Sequence, residues 1–182
     1  MSPQQALLEP PEKVTESQNK FAELYKTMSS TNRELGPLEK KILEFEEKLK
    51  GGRISRSEAE DLKKKMDRVL VLYDELEKTS KGIHELRKQL PPSEGVQGEL
   101  KAVDNTIAEV YSGWTKAAVE KDRLKESLGR TSDEKERKRI EAEVEKLGES
   151  QEGLIFAEQK LREFKEGREA DKNAELSKLK LG

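Results

Sequence analysis

Apolar residues recur at alternating steps of three and four through most of the chain, and this restricts the fold more than any other feature. Between residues 13 and 50 the series is Val14, Ser17, Phe21, Leu24, Met28, Thr31, Leu35, Leu38, Ile42, Phe45, Leu49, and nine of these eleven are apolar. The stretch 55–90 gives Ala59, Leu62, Met66, Val69, Tyr73, Leu76, Ser80, Ile83, closed by Leu86 and Leu90. The stretch 93–129 gives Val96, Leu100, Val103, Ile107, Val110, Trp114, Ala117, Lys121, Leu124, Leu128. The residues between are mostly charged. A stripe with this period runs along one side of a helix and packs on another helix at about 20°. Strands need a period of two and β-branched enrichment, which no run here combines. With 41% charged and 32% hydrophobic residues the composition alone would allow disorder, but a disordered chain has no reason to keep a period. The expected fold class is all-α.

Glycine and proline then cut the pattern into lengths. "KGGRIS" (50–55) and "LPPSEG" (90–95) are firm breaks, because two glycines or two prolines cannot carry a helix onward; "LGRTSDE" (128–134) is a weaker one. Capping-box spacing opens three segments, at Thr15 with Gln18, Ser55 with Glu58 and Thr131 with Glu134. Four helices are expected, over 13–50, 55–90, 93–129 and 132–178. Short connections make neighbours antiparallel. The expected organisation is an extended tail over 1–12, with Pro3, Pro10 and Pro11, and a segment 13–36 that is either a neck or the first half of helix 1. An elongated antiparallel three-helix bundle over 37–129 and a long fourth helix over 130–182, frayed at its end, complete it. Gly36 and Pro37 interrupt the first segment without breaking its register, so that helix is either kinked or divided there.

The candidate core follows from the stripes: Ile42 and Phe45 on the first helix, Leu62, Met66, Val69, Tyr73 and Leu76 on the second, and Leu100, Val103, Ile107, Val110, Trp114 and Leu124 on the third. Trp114 is the single tryptophan, and Gly113 and Ala117 beside it leave room for the indole on the seam. The fourth segment carries Ile140, Val144, Leu147, Leu154, Ala157, Leu161 and Phe164. Its "GLIFA" run would be costly left exposed, so Leu154, Ile155, Phe156, Leu161 and Phe164 are the candidate contact of a homodimer. A fourth helix on the bundle and the opening helix of a truncated second repeat stay open for this segment as well.

Chemistry is hard to find. There is no cysteine and one histidine, His84, which cannot build a zinc site alone. Acids interleave with lysines at helical spacing, as in solvated i,i+4 pairs. No phosphate-binding glycine loop and no calcium loop is present. No catalytic residue, cofactor site or metal site is assigned, and no enzyme is expected. Net charge is −2 from 36 basic and 38 acidic side chains, intermixed. That surface gives no field for nucleic acid or an anionic membrane, and "KERKR" (135–139) is surrounded by acids. No apolar run approaches the length of a membrane span, and "MSPQQALLEPPEK" is unlike a signal peptide. A soluble, cytoplasmic protein is expected.

The tryptophan stripe of the third helix, the leucine and valine seam of "AEDLKKKMDRVLVLYDELEKTSKGIHELRKQL" and the turn "PPSEG" together resemble the spectrin-repeat family, in particular the rod of α-actinin-like actin cross-linkers. The resemblance is best over 55–128 and extends back to about 36. It departs in the first helix, which lacks a tryptophan of its own, and at "LGRTSDE", where tandem repeats run on without a break. It implies a three-helix repeat and a structural rod or spacer that dimerises, localised to the cytoskeleton, with cytoskeletal partners engaged through domains outside this chain. The alternatives are a membrane-trafficking module, which the neutral surface disfavours, and an adaptor bundle that docks a partner helix. An adaptor requires some seam residues to stay accessible.

Overall fold

Four helices account for the described residues, as the breaks foretell. A computed structural model describes residues 11–181, with side chains except those of 11–15, 92–94, 175–176 and 178–181. The expected tail over 1–12 lies almost wholly outside the described residues. The helices are α1 (Pro11–Lys50), α2 (Arg56–Gln89), α3 (Pro92–Arg130) and α4 (Glu134–Leu181). Among the described residues there is no strand.

Local chemistry sets the ends. Ser55 caps α2: its Oγ accepts from the Glu58 amide at 3.1 Å. Gly52, at φ 69°, provides the left-handed residue that turns the chain out of α1. The other two capping boxes do not form. α1 starts ahead of Thr15, which is therefore inside the helix. Thr131 is the C-cap of α3, and its hydroxyl donates back to the Ser127 carbonyl at 2.8 Å. Asp133 takes the capping position of α4 instead, accepting from the Lys135 amide at 3.2 Å. Arg137 closes the same turn by donating to the Thr131 carbonyl at 3.0 Å.

The helices run up, down, up, down. Cross-pairs show the directions: Lys48 with Glu58 and Arg68 with Glu34 set α1 antiparallel to α2. Gly98 beside Gln18 and Lys26 with Glu109 set α1 parallel to α3, and Lys121 with Gln151 and Lys165 with Asp104 set α3 antiparallel to α4. The pairing of helices departs from the expected arrangement. α1, α3 and α4 pack mutually, and α2 packs on α1, meeting α3 only around their short connection. Among the described residues α2 and α4 have no close backbone approach. The fourth helix, expected as an addition to a bundle of the first three, is thus inside the bundle, and α2 is its outlying member.

The segment 13–36 is no neck. α1 is continuous through Pro37, and its first half is well enclosed: Phe21, Tyr25, Met28 and Leu35 are buried, and so are Ser17, Ser29, Thr31 and Asn32. Pro37 has no N–H to give the Arg33 carbonyl, its partner one turn back. That same carbonyl faces Gly153 of α4, where an added Cβ would lie 2.2 Å from the oxygen. A Cβ on Gly36 would lie 2.9 Å from the Cβ of Phe156. Two residues without side chains therefore let α4 come close to α1 beside the proline. The main core gathers Phe21, Tyr25 and Met28, Ile83 and Leu86, Ala102, Val103 and Val110, and Leu154 and Leu161, one set from each helix.

Candidate interaction surface

The placement of α2 decides which seam residues are covered. Val103, Val110 and Leu124 are buried, and Leu100, Ile107 and Trp114 are partly buried, with Ile107 and Trp114 against the main core. The indole Nε1 of Trp114 is enclosed without a hydrogen-bond partner. On α1 and α2, Val69 is buried with Leu35 and Leu72, and Ile42 and Leu76 pack partly against them. Leu62 and Phe45 are half-buried. Met66 and Tyr73 are not core: each is 48% exposed. They stand on the flank of α2 that a third neighbouring helix would have covered, and none does.

The candidate dimer contact divides in the same way. Leu154 and Leu161 are 3% and 0% exposed inside the bundle and cannot meet another chain. Phe156 is partly buried against the α1–α2 cluster, while Ile155 and Phe164 are exposed. "GLIFA" is covered mainly by α1 and α3, because Gly153 allows the close approach described above. His84 is exposed.

Because α2 and α4 both lie on α1 without a close approach of their backbones, a furrow runs between them with α1 as its floor. Its upper end, near the α1–α2 connection, is bordered by α1 and α2 alone and holds about 370 Å³ lined by Ile42, Leu43, Met66, Val69, Leu70 and Tyr73, with Glu39 as the one charged residue. Leu43 and Leu70 are 61% and 67% exposed there. The middle, about 350 Å³, shares Glu39 and Tyr73 with the upper end and adds Met28, Leu35 and Phe156. The lower end, about 380 Å³, shares Phe164 with the middle and reaches Arg87 and Arg168. On a chain with so many charged residues, this is where apolar side chains collect at the surface. The Tyr73 hydroxyl donates to Glu39 across the furrow floor, and this bond raises the phenol above its usual pKa.

Below the lower end lies a polar cluster to which each helix gives one residue. The carboxylate of Glu99 on α3 is fully buried. It accepts from the Tyr25 hydroxyl at 2.5 Å, from Arg87 Nε at 2.8 and 2.9 Å, and from Arg168 Nε at 3.0 Å. Burial, then the charge of Glu99, pushes the Tyr25 phenol far above its usual range. Burial works against the charge of Arg87, but the bonds and charge of Glu99 outweigh it and the guanidinium is held more tightly protonated. Two guanidiniums and a phenol saturate the carboxylate, so the cluster fixes helices in register and leaves no reactive group free.

Among the described residues no group of three or more His, Asp or Glu is placed to hold a metal ion, and no helix is long and apolar enough to cross a membrane. Comparison with protein-family models, with curated proteins and with solved structures finds no match.

Proposed function

We propose that this chain is a non-enzymatic helical interaction module whose working surface is the open apolar groove that α1 and α2 form at the upper end of the furrow. One observation carries the reading: Met66 and Tyr73 sit on the repeating seam of α2 yet stay half-exposed beside Leu43 and Leu70. A bundle that needed only to fold would cover a seam or make it polar. The accessible seam is the feature that distinguishes an adaptor bundle from a plain spacer. The test is binding of bis-ANS to the folded chain, compared with Leu70→Glu. Saturable dye binding that this substitution removes, with the melting temperature unchanged, is the expected result. Equal dye binding by both proteins would sink the reading.

A second reading has one observation in its favour. Helices of 34 to 48 residues lie side by side, with Ile155 and Phe164 exposed on α4. That suits a structural rod of the spectrin-like, cytoskeletal cross-linker kind that self-associates along α4. Small-angle scattering decides between the two: a doubled mass and a length well beyond one bundle would favour the rod, and a monomer about as long as its helices would favour the adaptor.

A further inference from the structure

We propose that the end of the α1–α2 hairpin is a hinged arm that rocks against the α3–α4 hairpin about Gly36–Pro37, and that ion pairs across a charged cleft set its position. The arm comprises residues 38–50 of α1 and 56–68 of α2 with the turn between them. It carries Ile42, Leu43 and Met66 of the open groove, but its motion does not depend on what that groove binds.

Burial marks the boundary of the arm. Among the described residues none from Gly36 to Arg68 is buried, although this stretch holds Leu38, Ile42, Phe45, Leu49, Leu62 and Met66. Both helices are fixed just below that level. There Leu35 packs with Val69 and Leu72, and Arg68 donates to Glu34 at 2.6 and 2.8 Å. Gly36 and the Arg33 carbonyl lie there against Phe156 and Gly153 of α4. The α3–α4 hairpin, in contrast, keeps buried apolar residues of its own toward its turn, Leu124 and Ile140. Helical segments that bury few apolar side chains move most readily. Pro37 supplies the pivot, because the Arg33 carbonyl lacks its intrahelical N–H and sharp bends gather at such positions. Between Arg56 and Arg68, α2 has no close backbone neighbour but α1, so it follows the bend.

Charge holds the arm against its neighbours. The cleft between α1 and the α3–α4 hairpin holds about 410 Å³ and begins at Pro37. α1 lines it with two lysines and one acid, Lys40, Lys41 and Glu44. The facing wall has two lysines and three acids, Lys121 and Lys125 from α3 with Glu145, Glu149 and Glu152 from α4. The arm's wall is thus net positive and the facing wall net negative. Two ion pairs cross the cleft, Lys40 with Glu152 at 2.8 Å and Lys41 with Glu149 at 3.0 Å. Among the described residues no hydrogen bond or ion pair joins residues 42–68 to α3 or α4. The four crossing side chains are 40% to 57% exposed. Exposed pairs of this kind are weak and screened by salt, so they bias the arm without locking it. A bend of about 20° at Pro37, carried along about 20 Å of helix, displaces the end of the arm by about 7 Å.

The experiment is double electron–electron resonance on the full chain, which has no cysteine and so takes spin labels at two chosen positions. Arg53→Cys in the arm's turn and Ser132→Cys in the α3–α4 connection, both exposed, report the rocking. Asn19→Cys with Thr115→Cys, exposed on the packed part of α1 and α3, is the control. Dilution with unlabelled chain silences contacts between copies. Raising salt from about 0.01 M to about 1 M shortens the screening length from about 30 Å to about 3 Å. The share of molecules with a distance longer by about 7 Å should then rise several-fold for the first pair, and the control should stay fixed. Lys40→Gln with Lys41→Gln should give the high-salt distribution at low salt. Pro37→Ala, which returns an N–H to the Arg33 carbonyl, should narrow the distribution at every salt concentration. The helical circular dichroism signal should be the same throughout. A narrow distribution indifferent to salt and to the lysine substitutions would overturn the proposal. So would broadening that appears only as helical signal is lost, since the arm would then be unfolding instead of rocking. A salt response unchanged by Pro37→Ala would remove the pivot, and the proposal with it.

Discussion

Glu99 offers the sharpest test of how this bundle is held in register. Its carboxylate is fully buried, and the side chains of Arg87 and Arg168 are 25% and 15% exposed. Glu99→Gln keeps the shape and one acceptor oxygen but removes the charge, so two guanidiniums are left mostly desolvated around a neutral amide. Removing one partner of a buried ion pair costs about 3–5 kcal/mol, and the lower end applies here because the arginines reach some solvent. For a chain of this size about 3 kcal/mol corresponds to a fall of about 6–12 °C in Tm. The assay is thermal unfolding followed by circular dichroism at 222 nm, with Lys41→Met as the control. Lys41 pairs with Glu149 at 3.0 Å in an exposed setting, where an ion pair contributes little, and its loss should leave Tm nearly unchanged. A quadruple variant, Tyr25→Phe, Arg87→Met, Glu99→Leu and Arg168→Met, should recover most of the lost stability, because apolar side chains of similar volume avoid the desolvation cost altogether. If Glu99→Gln melts within about 2 °C of the parent, the carboxylate does not hold the two guanidiniums and the reasoning fails.

The remaining predictions address the proton, the helix crossing and the indole. The Tyr25 phenol has its folded pKa raised by burial, so its contribution to stability is complete below pH of about 10, the unfolded value, and is lost as pH rises beyond it. Absorbance at 295 nm should show this phenol ionising only as the helical signal falls, and Tyr25→Phe should remove that coupled step. Gly153→Ala places a methyl against the Arg33 carbonyl; the overpacking, about 1–3 kcal/mol, should exceed the gain of about 1 kcal/mol in helix propensity, while Gly167→Ala, with nothing within 4 Å, should be neutral or stabilising in the same urea titration. Trp114→Ala should cost about 3 kcal/mol, but Trp114→Phe much less, since it also removes an indole N–H enclosed without a partner; equal losses in chemical denaturation would show that ring burial is not what the residue supplies.

How much of this was legible depends on whether the governing residues are near or far in sequence. Helix lengths were legible because the breaks are local: Gly51 and Gly52, Pro91, and the Thr131–Asp133 turn each end a helix by their own backbone limits. Which helices pair was not, because α2 and α3 carry stripes of equal quality and periodicity does not name a partner. Pairing is set instead by contacts between distant positions: Gly153 against Arg33, Gly36 against Phe156, and Glu99 with residues 74, 12 and 69 positions away. Glu99 did leave a signal. It falls among Val96, Ala102, Val103 and Thr106 on one face of α3, and an acid there demands buried cations. The signal could say that partners exist, but not that one lies on α2 and the other on α4.

Of the two readings of 13–36, neck or first half of helix 1, the neck fails for a related reason. A helix packed on one side shows a clean division between apolar and polar faces, and that is what periodicity detects. α1 has neighbours on three sides, so its enclosed surface extends beyond the apolar stripe to Ser17, Ser29, Thr31 and Asn32. Small hydroxyl side chains allow close approach and can return their bonds to the helix itself, as Thr31 does to the Thr27 carbonyl at 2.8 Å. Such positions read as polar in sequence and are interior in the fold. The same geometry explains Met66 and Tyr73 in reverse: they read as seam and are open, because α2 has one long neighbour where the pattern implied two. Since α4 occupies a place beside α1 that α2 would have shared in a closed three-helix repeat, the covering of Leu154 and the exposure of Met66 are two results of a single choice. Any substitution that loosens α4 from α1 should therefore also change access to the furrow.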